Sequence, residues 1–261
     1  MKVEFINSAN IKVPEWMVLK GGSWRRRTLA VRFGIAKLAS GKYMLIDTGY
    51  SRRLVEGKRS FALKAYAKIL RPKLVSEPLG WLSGNGLTPA DISHIFITHF
   101  HADHICALKD FPNAKFITAQ SAYEAYGKMS ELRRRKHGVF WESLPDDFED
   151  RLIDVDTLED AKLPLGLGTG KVLDKGLFAV PLPGHALGHI GLAWTSGGKH
   201  HLYGADAQWM ETAIMETRAP FLATRFVFSD RSQGAQSAAK IKDFVAAGGV
   251  LALCHTPEEG Q

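Results

Sequence analysis

The segment "THFHADH", from Thr98 to His104, places three histidines and one aspartate directly after a strongly apolar run. That run is "ISHIFI", residues 92–97, and a short apolar run of this kind predicts a buried strand. Ligand-type side chains at the end of a buried strand indicate either a metal site or a cluster of polar residues that satisfy one another. The rest of the sequence decides between these two interpretations.

Three further ligand-type residues also follow apolar, strand-like runs. His185 lies in "PLPGHALGH", Asp206 in "LYGAD" and His255 in "LALCH". Loops at the ends of rigid elements are where binding and catalytic residues concentrate. A cluster of satisfied polar residues does not account for a pattern that recurs at four strand ends, so the sequence predicts a metal site.

The spacing within the first segment suits two metal ions. Residues two apart in an extended chain point the same way, so His99 and His101 can reach one ion together. Asp103 and His104 come after the chain turns, where they can face a second ion. Imidazole and carboxylate groups suit zinc and related divalent ions. The five histidines and two aspartates identified so far are enough to hold a pair of ions with an open site between them.

The composition is that of an ordinary globular protein. The chain has 261 residues, of which 45% are hydrophobic, and a formal net charge of +7. No aromatic-rich RNA-binding signature accompanies its densest basic runs, residues 131–138 and 23–27, and both are predicted to be solvated. We therefore expect a small-molecule substrate, no nucleic acid and no membrane as partners, with a homodimer as an open alternative to a monomer.

The two cysteines, Cys106 and Cys254, are too few for a disulfide scaffold, and both lie in apolar surroundings. The N-terminal segment "MKVEFINSAN" has no apolar core of a signal peptide, and no apolar stretch approaches a membrane span. A cytoplasmic protein with reduced thiols is the expectation.

Strands and helices alternate along both halves of the chain, which predicts an α/β protein with two sheets covered by helices, in one domain of residues 1–261. Helical spacing extends over residues 54–81, interrupted by Pro72 and Pro78, and a polar, weakly periodic segment around residues 130–165 is predicted to be an inserted lid or rim. Strands are predicted at residues 28–40, 43–49, 94–98, 114–119, 177–184, 190–196, 200–206 and 250–255, and helices at 121–129 and 234–249.

The sequence resembles the metallo-β-lactamase superfamily of metallohydrolases, whose fold is a four-layer αββα sandwich of two mixed β-sheets flanked by helices. "THFHADH" resembles the H-x-H-x-D-H motif of that family. Four other segments resemble its remaining motifs, in the same order: "LIDTG" with Asp47, "PGHALGH" with His185, "GAD" with Asp206, and "CH" with His255. The matching segments extend over residues 43–255, nearly the whole chain.

The resemblance implies a role for each matching residue. His99, His101 and His185 would bind one divalent metal ion, and Asp103, His104 and His255 would bind another. Asp206 would bridge the two ions, and Asp47 would order the metal-binding loop. The ions would be zinc, with iron or manganese as alternatives. A hydroxide between them would attack the substrate, and Asp103 would carry the proton to the leaving group.

Among the branches of the superfamily, the sequence most resembles the N-acyl homoserine lactone lactonases. The segments "GLTPADISHIFITHFHADH" and "FPNAKFITAQSAYEAY" carry this resemblance. It implies a hydrolase that opens an ester or a lactone. Glyoxalase-II-like thioesterases, phosphotriesterase-like enzymes, iron-dependent sulfur dioxygenases and a non-catalytic metal-binding protein stay open as alternatives.

The sequence departs from the lactonases at two places. Trp209 occupies the position of a tyrosine that helps to orient the substrate carbonyl, so we take Trp209 as a candidate catalytic residue. Ile105 and Cys106 stand where the family often has glycine, and they are expected to alter the pocket floor. Trp81 and Trp141 are predicted to line the substrate entrance together with Trp209.

The other histidines are not expected to bind the metals. His189 should support the site from outside the ligand set. His200 and His201 should point to opposite faces of a strand, and His94 and His137 should be structural or exposed.

Overall fold

The computed structural model describes residues 2–219 and 229–256 and arranges their strands in a seven-stranded and a six-stranded sheet. The first sheet has the order β4-β1-β2-β3-β5-β6-β7 and the second has the order β13-β12-β11-β10-β9-β8. The strands are β1 (Val3–Pro14), β2 (Arg26–Lys37), β3 (Tyr43–Ile46), β4 (Lys73–Leu74), β5 (Ile92–Phe96), β6 (Lys115–Thr118), β7 (Leu152–Asp154), β8 (Asp160–Leu163), β9 (Gly168–Asp174), β10 (Leu177–Pro181), β11 (Ile190–Ser196), β12 (Lys199–Tyr203) and β13 (Val250–Ala252).

Both sheets are mixed. In the first, β3, β5, β6 and β7 run parallel and β4, β1, β2 and β3 pair antiparallel. In the second, only the β12–β13 pair is parallel. The helices are α1 (Glu15–Val18), α2 (Arg52–Val55), α3 (Phe61–Leu70), α4 (Pro78–Gly84), α5 (Ala102–Ile105), α6 (Gln120–Gly127), α7 (Glu131–Lys136), α8 (Glu211–Met215) and α9 (Arg231–Ala246).

The main hydrophobic core lies between the two sheets. Phe5 of β1 stacks on Tyr203 of β12 with ring centroids 4.3 Å apart, and it also approaches Trp194 of β11. Alternate residues of β11 face opposite sides, so Leu192 joins this core whereas Ala193 packs with Ile241 of α9. Helices therefore cover the outer face of the second sheet. The predicted α/β class, with two mixed sheets flanked by helices, is confirmed.

The topology brings several strand ends to one edge of the molecule. Ile46 of β3 pairs in parallel with Phe96 of β5, so Asp47 and the segment that begins at Thr98 leave the first sheet side by side. In the second sheet, Tyr203 of β12 pairs in parallel with Ala252 of β13. The chain then continues to Asp206 and His255, which is how residues far apart in sequence meet.

β1, which is as long as β2, was not predicted from the sequence. β1 pairs with β2 along almost its whole length, but the register shifts between Asn7 and Ala9. A bulge of this kind breaks the alternation of apolar and polar residues on which strand prediction depends. β2 itself begins at Arg26, two residues before the predicted start.

The helical segment predicted over residues 54–81 is wrong as a single unit. It divides into the end of α2, then α3, the two-residue strand β4 and the start of α4. α3 ends at Leu70, and the next residue, Arg71, adopts a left-handed conformation with φ of 48° directly before Pro72. Proline disfavours helical geometry in the residue before it, which explains the break. Pro78 begins α4, as a proline at a first helical position does.

The predicted insertion at residues 130–165 is too long. Its second part contributes β7 to the first sheet and β8 to the second, so residues 152–163 belong to the body of the fold. The first part, which contains α7 and a short turn at Trp141–Ser143, lies beside the cavity described below. This first part contributes Lys136, His137 and Gly138 to the lining of that cavity, so the rim is confined to this part. Within the described residues, no helix is both long and apolar enough to span a membrane.

Candidate metal centre

Seven buried side chains from four loops and one short helix meet at the shared edge of the two sheets. Each residue is at most 7% exposed to solvent. They are the residues singled out from the sequence: His99, His101, Asp103, His104, His185, Asp206 and His255.

The first group consists of three imidazoles. The Nδ1 atom of His101 lies 3.0 Å from Nε2 of His99 and 3.0 Å from Nε2 of His185. Burial lowers the pKa of His101 to about 4, and it holds the pKa of His99 and of His185 well below the usual value. All three imidazoles are therefore neutral near pH 7, which is the form that binds a metal ion.

The second group combines two imidazoles with carboxylates. Nε2 of His255 lies 3.3 Å from Oδ2 of Asp103 and 3.1 Å from Oδ2 of Asp206. Nε2 of His104 lies 3.4 Å from Oδ1 of Asp206. The Sγ atom of Cys254 is also close, within 4.8 Å of the ligand atoms of His104, Asp206 and His255. Sequence analysis assigned Cys254 no role beyond a buried thiol, although its position next to His255 pointed to this location.

Asp206 lies between the two groups. Its Oδ2 atom is 3.5 Å from Nε2 of His185 in the first group, while its Oδ1 atom faces His104 in the second. Burial alone would raise the pKa of Asp206, but His255 and His104 hold it well below its usual value. The carboxylate is therefore ionised and lies within reach of both groups, since Oδ2 is near His185 and His255 and Oδ1 is near His104.

The donor atoms fit divalent cations. Nε2 of His104 and Oδ1 of Asp206 are buried, and neither makes a hydrogen bond to any residue that the structure describes. Buried polar atoms without partners are costly unless another species satisfies them. Imidazole nitrogens and ionised carboxylates converging in this way are a donor set for zinc or a related divalent ion.

Asp47 holds the "THFHADH" loop in place. Its carboxylate accepts hydrogen bonds from the backbone N–H of Thr98 at 2.8 Å, from Oγ1 of Thr98 at 2.9 Å and from Nδ1 of His104 at 2.8 Å. Burial opposes charge on His104, yet Asp47, Asp103 and Asp206 raise its pKa well above the usual value. The bond to Nδ1 turns the other ring nitrogen of His104 toward Asp206.

Two residues in these loops have a strained, left-handed backbone conformation. Asp47 has φ of 56° and Ala205, directly before Asp206, has φ of 44°. Non-glycine residues in the left-handed region are uncommon and cost free energy unless the surroundings enforce them. Both strained residues lie just after a strand, Asp47 directly after β3 and Ala205 two residues after β12.

His189 supports Asp206 instead of joining either group. Its Nδ1 atom donates to the carbonyl of Leu182 at 2.7 Å, and its Nε2 atom accepts from the backbone N–H of Asp206 at 3.2 Å. Both ring nitrogens are therefore occupied by backbone groups. His200 and His201 lie elsewhere, on β12, where His201 stacks on Trp194.

Arg32 is a supporting residue that sequence analysis missed. Its Nη1 atom donates to the carbonyls of Leu253, Cys254 and Thr256, which surround His255 in the chain. His255 itself makes a 2.8 Å contact from Nδ1 to the carbonyl of Ala30. No motif marks an arginine on a strand as the anchor of a distant loop, so only the folded structure reveals it.

A cavity of about 310 Å³ opens onto the two groups. Its floor includes five of the seven clustered residues, and Trp209, Lys136, His137 and Gly138 stand at its side and rim. Its wall is largely apolar and is formed by Ile11, Val13, Met17, Val18, Leu29, Tyr50, Tyr66 and Leu70. His137, which sequence analysis left as structural or exposed, is thus a cavity residue.

Gly138 brings the rim against the metal-binding loop. Its carbonyl accepts from the N–H of Ala102 at 3.2 Å, and its φ is +71°. A Cβ atom added there would lie 3.2 Å from Cδ2 of His101, a tight contact with that imidazole. Glycine permits both the backbone conformation and the close approach.

The three tryptophans expected at the entrance do not act together. Trp209 lines the cavity and donates from Nε1 to Oδ2 of Asp206 at 3.1 Å. The described cavity wall does not include Trp81 or Trp141. Trp141 stacks on Tyr123 and lies under the guanidinium group of Arg134, while Trp81 packs against the core from α4. The prediction for those two residues was wrong because position in the chain does not show which way a ring points.

Ile105 and Cys106 do not line the cavity whose floor they were expected to alter, and Cys106 is a small buried residue. Ile105 is fully buried in the main core. The Sγ atom of Cys106 lies 3.5 Å from Oγ of Ser51, and neither Ile105 nor Cys106 contributes to the described cavity lining. Side chains larger than glycine are accommodated there by core packing.

The fold and the clusters together define a metal-binding protein with two mixed sheets and a two-part histidine–aspartate centre. The chain belongs to the metallo-beta-lactamase superfamily, whose family model matches residues 35–247. It is 30% identical over 190 residues to probable metallo-hydrolases of Mycobacterium bovis and Mycobacterium tuberculosis. That match includes 69% of this chain, and it spans 57% of the length of those relatives.

Solved structures share the fold at low sequence identity. A quorum-quenching N-acyl homoserine lactone hydrolase superposes with a TM-score of 0.71 at 18% identity, covering 100% of this chain and 94% of that one. A probable metal-dependent hydrolase from Staphylococcus aureus gives 0.73 at 17% identity, covering 98% and 89%. A B. thuringiensis AiiA mutant with N-decanoyl-L-homoserine bound at its active site gives 0.71 at 18%, covering 98% and 93%.

Proposed function

We propose that this protein is a metal-dependent hydrolase that opens an ester or a lactone with an apolar acyl group, in the manner of an N-acyl homoserine lactonase. The observation that carries the proposal is the apolar cavity that ends on buried histidine and aspartate donors. Membership of the superfamily and the fold shared with lactonases support it. A cavity of about 310 Å³ has the size of a small-molecule site.

In this proposal the two groups hold two divalent ions, with zinc as the first candidate and iron or manganese as alternatives. His99, His101 and His185 would hold one ion, Asp103, His104 and His255 would hold the other, and Asp206, which approaches both groups, would serve both ions. When bound, such a pair polarises a carbonyl group and lowers the pKa of water toward neutrality.

The residues of the chain then orient the reaction. The apolar wall positions an acyl group so that its carbonyl lies at the cavity floor. His189 and Trp209 fix Asp206 through its backbone N–H and its Oδ2 atom respectively. Asp103 lines the cavity at the floor, where its carboxylate can carry a proton to the leaving oxygen.

Metal content and substrate range test this function directly. We expect about two divalent ions per chain in protein purified without chelator, and loss of hydrolysis after chelation with recovery on adding zinc. The substrate panel contains an acyl homoserine lactone, a glutathione thioester, a phosphotriester and a cephalosporin, assayed beside metal quantification. Full activity in metal-free protein would overturn the mechanism. Turnover of the thioester or phosphotriester alone would favour those alternatives, and sulfur oxidation with bound iron would indicate a dioxygenase.

Trp209 offers a second test. Replacing Trp209 by phenylalanine keeps an aromatic ring in the cavity but removes the N–H that donates to Asp206. We expect kcat/KM to fall about tenfold and metal affinity to fall with it, because groups that orient a metal ligand contribute about 10- to 100-fold. Trp141→Phe is the matched control, since Trp141 lies outside the described cavity wall. Equal activity of the two variants would show that the bond from Trp209 does not matter.

Location and partners stay predictions of the sequence. Both cysteines are free and buried, which supports the proposal of a reducing, cytoplasmic location. A small-molecule substrate suits the enclosed cavity better than a macromolecule does, so we retain the proposals of no nucleic-acid or membrane partner. Sedimentation analysis would decide between a monomer and a homodimer.

A further inference from the structure

We propose that Tyr66, positioned by Tyr50, donates a hydrogen bond to the acyl oxygen of the substrate as negative charge develops there. This inference rests on the proposed function and names the residue that would replace the donor missing at position 209. Tyr66 would be a catalytic residue, and Tyr50 would act through it.

The two tyrosines form a hydroxyl pair on the cavity wall. Their oxygens lie 2.7 Å apart, and both side chains line the cavity that contains Asp103, His101 and His255. Tyr50 is 1% exposed, whereas Tyr66 is only partly buried, so Tyr66 is the member of the pair that faces open space. They come from separate elements, the loop after β3 and helix α3.

The two hydroxyl groups carry one more donor proton than the hydrogen bond between them uses. Two phenol hydroxyls carry two protons, and the bond between them uses one. Among the residues that the structure describes, neither hydroxyl makes another hydrogen bond. The second proton therefore has no protein acceptor, and the cavity is where an acceptor can be supplied. If Tyr50 donates to Tyr66, the free proton belongs to Tyr66.

The indole N–H of Trp209 already donates a hydrogen bond to Asp206. Its Nε1–H is an indole's single polar hydrogen, and it is directed at Oδ2 of Asp206 at 3.1 Å. That bond orients a metal ligand, so the same hydrogen cannot also serve a substrate oxygen. A hydroxyl donor elsewhere on the cavity wall would meet this need.

The surroundings hold Tyr66 in one position. Its ring lies 5.0 Å from that of Phe140 and 6.5 Å from that of Tyr50, measured between centroids. The start of α3 is fixed to the rim, because the backbone N–H of Ser60 donates to Oε2 of Glu142 at 2.9 Å. A donor held in place before the reaction stabilises developing charge without having to reorganise.

The phenols are suited to donate a hydrogen bond and not to transfer a proton. Burial raises the pKa of Tyr50 and of Tyr66, and the nearby Asp103 carboxylate raises both further. Both hydroxyls therefore keep their protons throughout the accessible pH range. A group with so high a pKa is a poor general acid, which assigns it to the acyl oxygen and leaves the leaving oxygen to Asp103.

The test compares Tyr66→Phe, Tyr50→Phe and the double variant with Tyr43→Phe as the matched control, since Tyr43 lies at the far end of β3 from Asp47. With metal-loaded protein, we expect Tyr66→Phe to lower kcat about 100-fold with little change in KM or metal content, as loss of one oxyanion donor does. Tyr50→Phe should have a smaller effect, and the double variant should resemble Tyr66→Phe alone. The loss should be equal for esters with phenol and with alkanol leaving groups.

A binding measurement separates this inference from the proposed function. Calorimetric titration of metal-loaded protein with hexanoate, the anion of a short acyl chain, needs no turnover. Tyr66→Phe should weaken hexanoate binding about tenfold, and Tyr43→Phe should leave it unchanged. If wild-type protein hydrolyses no ester, the proposed function fails while the titration still decides the donor. Unchanged hexanoate binding and kcat in Tyr66→Phe, or a loss confined to alkanol esters, would overturn the inference.

Discussion

Replacing Asp206 by asparagine is expected to remove bound metal and to lower kcat/KM for ester hydrolysis at least about 1,000-fold. Asp206 is placed so that one oxygen faces His185 and the other faces His104. The change keeps the shape of the side chain but removes its charge from between the two groups. A metal pair contributes several kcal/mol of charge stabilisation, and each 1.36 kcal/mol corresponds to about a tenfold change in rate.

The measurement pairs elemental analysis with steady-state kinetics on the same preparation. Asp243→Asn is a matched control, because Asp243 is an exposed residue of α9. It should keep about two ions per chain and wild-type rates. Circular dichroism must show that Asp206→Asn still folds. A folded Asp206→Asn protein with both ions and full activity would rule out a bridging role for Asp206.

The sequence predicted the fold class and identified residues that the structure brings together, but it predicted the individual strands and helices less completely. Candidate ligand residues could be identified because imidazole and carboxylate side chains directly after apolar runs have few other uses, as at His99 and Asp206. The structure then brings these residues together because parallel neighbours such as β3 and β5 end at the same edge. Neither the choice of these residues nor their meeting at one sheet edge depends on the structure of the loops between the strands.

The parts that sequence analysis missed depend on long-range packing. β1 escaped prediction because a bulge disrupts its pattern, yet this strand supplies Ile11 and Val13 to the cavity wall. Arg32 anchors a loop more than 200 positions away, which no local pattern can show. Tyr50 and Tyr66 become a pair only when α3 packs beside the loop after β3.

Trp209 shows what residue type can predict and what only the orientation of the side chain reveals. The sequence identified it as a departure from the lactonases and made it a candidate catalytic residue. The structure shows its indole N–H directed at Asp206, which makes orientation of that ligand its clearest role. Residue type alone could not reveal this, because an indole at the same position with its ring turned could face the substrate instead.

Replacing Asp47 by asparagine is expected to reduce stability and to empty the second metal position. Asp47 is fully buried and accepts three hydrogen bonds, two from Thr98 and one from Nδ1 of His104. Asparagine tolerates the left-handed backbone at this position, so strain is not the cause of the loss. Its amide group replaces an accepting oxygen by a donor, which leaves Thr98 or His104 facing another N–H group.

Breaking a buried pair of this kind costs about 3–5 kcal/mol in the free energy of unfolding. For a chain of this size, that corresponds to a fall in Tm of about 6–20 °C. His104 would also lose the bond that directs Nε2 toward Asp206, so we expect about one divalent ion per chain instead of about two. Calorimetry of the metal-free protein isolates the stability effect, and elemental analysis of the loaded protein reports the second site. An unchanged Tm together with two bound ions would show that the loop is ordered by something other than Asp47.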